Sequence, residues 1–208
     1  LSYDIVLRGG PIYDGSGEAP FLGDLAIAAD RIVAIGDLGN AAGEEEIDVA
    51  GLAVAPGFVN MLSWATDSLI VDGRSQGDIR QGVTLEAFGE GSSYGPLNDA
   101  MKIDIVANWV ADAGGETALH EMLGLAADST VSVPWTTLGE YLAFLENRGV
   151  APNVASFVGA TTLRVHELGY EDRSPTAEEL ARMQDLARAA MREGAMGVGS
   201  SLIYAPAF

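Results

Sequence analysis

The sequence predicts an α/β chain in which a small all-β segment, residues 1–55, precedes alternating strands and helices over residues 56–208. Three observations carry this reading. Strand-type alternation runs through Leu25-Ala26-Ile27-Ala28 and Ile32-Val33-Ala34-Ile35. From Ala53 onward, short apolar runs alternate with segments of helical spacing. Residues 174–194, "SPTAEELARMQDLARAAMREG", carry a full helix signature, with a cap, an acidic first turn and a glycine stop.

The elements follow in order. "YDIVLRGG", "PIYDGSG", "GDLAIAADRIVAIGD" and "EEEIDVAGLAVAPGF" read as short strands, with Ala29-Asp30-Arg31 as a hairpin turn. Their apolar faces need a partner sheet. "LAVAPGFVNML" is the first strand of the alternating part, and "SQGDIRQG" a short helix stopped by Gly82. "VTLEAFGEG" is the second strand, and "VAPNVASFVGATTLR" carries the third. "NDAMKIDIVANWVADAG" and "TTLGEYLAFLENRG" are helical by apolar spacing. In the helix over 174–194, Ser174 or Thr176 is the cap, while Pro175, Glu178 and Glu179 fall in the first turn. "AMGVGSSLIY" is the fourth strand. Successive βα units imply a parallel sheet, doubly wound or closed into a barrel. A closed barrel needs eight strands and typically ~250 residues, so four strands in this stretch are expected to be either a complete open-sheet protein or half of something larger.

Charge narrows the partners. Thirty acidic residues against 11 basic give a net charge of −19, and Lys102 is the one lysine. Phosphate binding rests on Lys/Arg charge, so nucleic acid and anionic membrane faces are set aside as partners. No apolar run reaches the ~18–20 residues of a membrane span. There is no cysteine, which excludes disulfides, thiolate nucleophiles and Cys-ligated zinc within these residues. The compartment stays open: a start at Leu1 fits a removed export signal or a trimmed start equally.

The segments "DIVLRGGPIYDGSG", "VAPGFVN", "RQGVT", "NVASFVGATTLR" and "GAMGVGSSLIYAP", in this order, resemble the N-acyl-D-amino-acid deacylases (D-aminoacylases) of the amidohydrolase superfamily. The resemblance covers nearly the whole chain. It implies that residues 1–55 are part of a small β-sandwich domain and residues 56–208 the first half of a TIM-like (β/α)8 metal-dependent hydrolase barrel. It also implies a partner: a C-terminal half, joined or as a second polypeptide, that completes the barrel. Oligomeric state is left open.

The family ends its first barrel strand with Asp-x-His-x-His. Two histidines at i and i+2 suit a strand end, where alternation points both imidazoles into the barrel mouth. In this register Asn60 stands at the Asp, and Leu62 and Trp64 stand at the histidines. Neither leucine nor indole has a lone pair for zinc, so both are expected to pack in the mouth. At the second strand end, "FGEGSS", the resemblance places Gly91 at the family's zinc-ligating cysteine, and a one-residue slip offers Glu90 as an oxygen ligand instead. Glu86, of the same parity, is a weaker candidate. Ala160 replaces the family's histidine after the third strand. His120 and His166 are expected at the surface or in a supporting shell, with His166 in a loop. Ser63 and Trp64, with Ser200, Ser201 and Tyr204 in "GSSLIYAP", are the candidate substrate-binding residues.

What the resemblance implies is a hydrolase of amide bonds that deacylates N-acyl amino acids with zinc-activated water. It would use one zinc ion, with most ligands and the catalytic Asp beyond residue 208. Two other readings stay beside it: a non-catalytic amidohydrolase-fold binding protein, and a dipeptidase- or carboxypeptidase-like relative.

Overall fold

The computed structural model describes residues 3–201. The chain divides into two compact units, Leu1–Gly57 and Phe58–Phe208.

In the first unit, β1 (Tyr3–Ile12), β2 (Phe21–Ala28), β3 (Arg31–Gly36) and β4 (Gly43–Asp48) form one sheet in the order β3-β2-β1-β4. β1 and β2 are antiparallel, as are β2 and β3, while β1 and β4 run parallel. The β2–β3 hairpin turns through Ala29 and Asp30, with Ala29 at φ 52 and its N–H held by the Asp4 carboxylate. Arg8 of β1 ties the neighbouring strands together by pairing with Asp24 of β2 at 3.0 Å and Glu46 of β4 at 3.1 Å. Val6, Leu25 and Ala26 are buried, whereas Leu22, Ile32, Val33 and Ile35 are exposed.

The second unit alternates strands and helices: β5 (Phe58–Asn60), α1 (Ser68–Val71), α2 (Gln76–Ile79), β6 (Val83–Phe88), α3 (Asp99–Ala113), α4 (Glu116–Leu123), α5 (Leu138–Arg148), β7 (Asn153–Ser156), β8 (Val158–Gly159), α6 (Ala160–Leu168), α7 (Ala177–Arg192) and β9 (Val198–Gly199). β5, β6 and β7 pair in parallel in that order, and β8 pairs in parallel with β9. Parallel neighbours joined through helices are βα units, the arrangement of doubly wound sheets and of barrels. The core lies between these strands and their helices. Phe88, Trp135, Leu138, Tyr141, Leu145 and Val158 are all at most 2% exposed. Met183, Leu186 and Ala187 of α7 pack against this core at helical spacing. Among the described residues, no helix is long and apolar enough to cross a membrane.

Several elements differ from the sequence expectation. "LAVAPGFVNML" is not one strand. Val54 bridges to Ile12 within the first unit, Pro56 has no N–H to donate, and the strand of the second unit is limited to Phe58–Asn60. "ATTLR" is helical: the Gly91 carbonyl catches the Thr161 N–H at 2.8 Å, and α6 runs to Leu168. His166 therefore sits on a helix rather than in a loop. Thr176 is the α7 cap, with a reciprocal capping box to Glu179, so Pro175 lies before the cap and outside the first turn. Among the described residues, the fourth strand is paired at Val198–Gly199.

Candidate functional site at the strand ends

The strand ends converge because glycines let backbone meet backbone. Gly89, just past β6 at φ +90, faces the Phe157 carbonyl so closely that a Cβ there would lie 2.1 Å from its oxygen. A Cβ on Gly199 would in turn lie 2.4 Å from the Gly89 carbonyl oxygen. The loop leaving β6 is thereby wedged between the ends of β7 and β9. Ser201, itself buried, comes to rest against Gly91.

Beside this junction is a cavity of about 360 Å³. Leu62, Ser63, Trp64 and Asp67 from the loop after β5 line one side, and Glu90, Ser92, Ser93 and Tyr94 from the loop after β6 line the other. The first loop is held from behind at successive points. The Ser63 N–H donates to the Ala87 carbonyl at 2.9 Å, and the Ser63 hydroxyl donates to Glu86 Oε2 at 2.6 Å. The Tyr141 hydroxyl donates to the Thr66 carbonyl at 3.2 Å. The Asp67 carboxylate accepts from both the Tyr94 hydroxyl and the Trp109 indole N–H. Burial, reinforced by the charge of Asp67, pushes the Tyr94 phenol well above its ordinary range, so it stays a donor.

The candidate residues thus have separate fates. Ser63, Trp64 and Glu90 share the cavity, but the Ser63 hydroxyl is turned inward to Glu86 and serves the loop. Leu62 and Trp64 do not pack. They are 49% and 69% exposed, because the loop's anchors occupy its inner side and leave these two side chains outside. Glu86 shares its parity with the core residue Phe88 and is 0% exposed, its second oxygen taken by the Ser75 hydroxyl at 2.6 Å. Ser200 is exposed, and Tyr204 lies outside the described residues. His120 is buried between the Glu116 and Ser129 carbonyls, and His166 pairs with Glu167 at 3.0 Å; neither lines the cavity. Asp67, Tyr94 and Asn108 also line it and were not singled out from sequence. The sequence signal for Asp67 and Tyr94 was position in loops that leave strand ends, where function concentrates; Asn108 lies on α3.

Among the described residues, no three His, Cys, Asp or Glu side chains gather closely enough to hold a metal ion. Glu90 fits as one oxygen ligand, exposed at the cavity; Leu62 and Trp64 fit no metal.

No family model matches the chain. It is 35% identical over 209 residues to the D-aminoacylase of Alcaligenes xylosoxydans xylosoxydans, covering 99% of this chain and 39% of that protein. It is 31% identical to the same organism's N-acyl-D-aspartate deacylase, covering 98% and 38%. A crystal structure of D-aminoacylase, described as defining a novel subset of amidohydrolases, superposes with a TM-score of 0.77 at 31% identity, over 99% of this chain and 40% of that one. The N-acyl-D-glutamate deacylase of Bordetella bronchiseptica, solved with zinc and a phosphonate mimic of the tetrahedral intermediate, gives 0.77 at 28% identity, over 100% and 40%. The chain spans about two fifths of the length of these relatives. Along 99% of its length, by sequence and by fold, the chain is a relative of the N-acyl-D-amino-acid deacylases (D-aminoacylases) among the amidohydrolases.

Proposed function

We propose that residues 56–208 form the first half of a (β/α)8 amidohydrolase barrel, that residues 1–55 contribute strands to a flanking β-sandwich, and that the assembled protein deacylates N-acyl amino acids. The observation that carries this is similarity along 99% of the chain to a D-aminoacylase, with the cavity of Trp64 and Glu90 at the strand ends, where such barrels do their chemistry. The other half of the barrel, joined or docked, supplies the catalytic Asp and most metal ligands. Glu90 is the one ligand from this part, to a single zinc ion. When bound, zinc lowers the pKa of its water to near ~7 and polarises the scissile carbonyl. What these residues do themselves is shape the mouth. The loop from Leu62 to Asp67 is locked by Glu86, Tyr141, Tyr94 and Trp109, so the substrate meets a wall that needs no ordering when it binds.

The test is to purify the intact protein, measure its metal content and assay release of free amino acid from N-acetyl-D-amino acids. About one zinc per copy is expected, with activity lost on chelation and restored by zinc. Glu90→Gln is expected to lower zinc affinity about tenfold or more without changing the fold. Denaturing electrophoresis of the same preparation should show either one longer chain or a companion of equal or greater length.

The exposure of Leu62 and Trp64 favours a second reading, a binding protein that keeps the fold and uses the mouth as a pocket. A folded, zinc-free protein that cleaves no N-acyl amino acid would establish that reading over the first.

A further inference from the structure

The mouth of this protein carries a feature that bears on its substrate. Among the described residues the Trp64 indole is 69% exposed at the cavity, a large apolar surface, and it sits on a loop whose neighbouring residues are tied down. The Leu62 N–H is held by Asn60 Oδ1 at 3.2 Å, Ser63 by Ala87 and Glu86, the Ala65 N–H by the Ser63 hydroxyl at 3.1 Å, and Asp67 by Tyr94 and Trp109. Leu62 and Trp64 are therefore presented to the cavity by a rigid support. The second feature is charge. Apart from Glu90, assigned above to the metal, the carboxylate that lines this cavity among the described residues is Asp67, and the adjoining cavity beyond Ser92 and Tyr94 adds Asp104. Asp67 is held by two neutral donors, so its hydrogen bonds leave its negative charge uncompensated.

We propose that Trp64, with Leu62, is the specificity-determining surface for an apolar, uncharged side chain on the N-acyl amino acid, and that Asp67 disfavours N-acyl-aspartate and N-acyl-glutamate. This inference rests on the deacylase reading. Every substrate of that class brings one α-carboxylate, so that charge cancels in a comparison between them. What differs is the second carboxylate of an acidic side chain, which would enter a pocket already bearing like charge and would contact an indole in place of water. An apolar side chain of similar size would instead bury surface against Trp64.

The experiment compares N-acetyl-D-leucine with N-acetyl-D-aspartate on the intact protein, by hydrolysis and by calorimetric binding. The expected result is kcat/KM for the leucine derivative about 30-fold or more above that for the aspartate derivative. Trp64→Ala should raise KM for the leucine derivative about tenfold while kcat changes little, and Trp64→Phe should restore most of the loss. Trp64→Arg should move preference toward the aspartate derivative. A preference for aspartate in the unmodified protein, or a leucine-to-aspartate ratio unmoved by Trp64→Ala, overturns the proposal. Absence of hydrolysis for both sinks the deacylase reading. In that case the calorimetry still decides this one: Trp64-dependent binding of the leucine derivative upholds it, and no binding of either overturns it.

Discussion

Glu86 and Glu90 stand four residues apart and illustrate opposite uses of the same side chain. Glu86 is inside β6, wholly buried, with both carboxylate oxygens taken at 2.6 Å by the hydroxyls of Ser63 and Ser75. Glu90 lies just beyond the strand, exposed on the cavity. Between them is Gly89, whose left-handed backbone turns the chain out of the sheet. The difference shows where structure stops and chemistry starts. A carboxylate whose lone pairs are filled by neighbours shapes the fold, while one left open at a strand end is available to a metal or a substrate.

The sharpest way to break this contrast is to remove the pivot. Gly89→Ala combines a positive φ with a Cβ only 2.1 Å from a carbonyl oxygen, and backbone on both sides prevents escape. Strain and overpacking together predict a loss of about 4 kcal/mol or more, read by denaturant unfolding of the intact protein. An unchanged midpoint would mean that the β6 exit is free to shift, and the wedge between the β7 and β9 ends would not be what sets the mouth.

Glu86 comes next. Glu86→Leu leaves the Ser63 and Ser75 hydroxyls without their acceptor, and the expected loss is about 3 kcal/mol. Replacing all three, with Ser63→Ala and Ser75→Ala added, should recover much of it, since a polar group and its partners removed together leave only the half-buried Ala65 N–H without its acceptor. Glu90→Gln should leave the unfolding midpoint where it is. If Glu86→Leu is as harmless as Glu90→Gln, the two glutamates are not different in kind.

Much of the scaffold was legible because its signals are local. Thr176 and Glu179 announce the start of α7 three residues apart, and Asn98 with Gly114 bounds α3. The strands of the first unit are visible in their alternation. The mouth was harder to read because its determinants are distant in sequence. Asp67 meets partners 27 and 42 residues away, and Tyr141 reaches Thr66 across 75. Nothing in "NMLSWATD" says that Ser63 turns inward to Glu86 while Leu62 and Trp64 face out. Similarly, the β-branched pair Thr161 and Thr162 reads as strand. It becomes helix because Gly91 and Ser93 capture it: Gly91 O takes the Thr161 N–H, and the Thr162 hydroxyl bonds the Ser93 backbone.

A smaller effect, remote from the mouth, calibrates these predictions. Thr176→Ala deletes one half of the α7 capping box and should cost about 1 kcal/mol. Glu179, the other half, has its carboxyl held at about 2 by the Arg173 guanidinium and then by the Thr176 N–H. Its contribution is present above the ordinary 4.5 and fades as pH falls from there toward 2. Arg173→Ala should reduce that acid sensitivity, with the Thr176 N–H still holding part of it, while leaving the mouth's ligand preference unmoved.

The smallest expected effect is the mirror image of Glu86. His120 is a buried ring with an acceptor at each nitrogen: Ser129 O at 2.7 Å from Nε2 and Glu116 O at 2.7 Å from Nδ1. Only the imidazolium donates from both, so the Ser129 carbonyl, then the Glu116 carbonyl, raise its pKa above the ordinary 6.5. Burial works against the cation, and the charge of Glu116 favours it further. A raised folded value means that the protonated ring is held more tightly in the fold than in the unfolded chain. That contribution is whole below pH 6.5 and disappears as pH rises through the raised folded value. Thermal midpoints of the intact protein should therefore fall between neutral and mildly alkaline pH, and His120→Gln should flatten the decline over that interval. A decline of the same slope in the variant would show that the ring is neutral in the fold, with one nitrogen facing a carbonyl unprotonated, and a buried group with two partners would then no longer imply that both are satisfied.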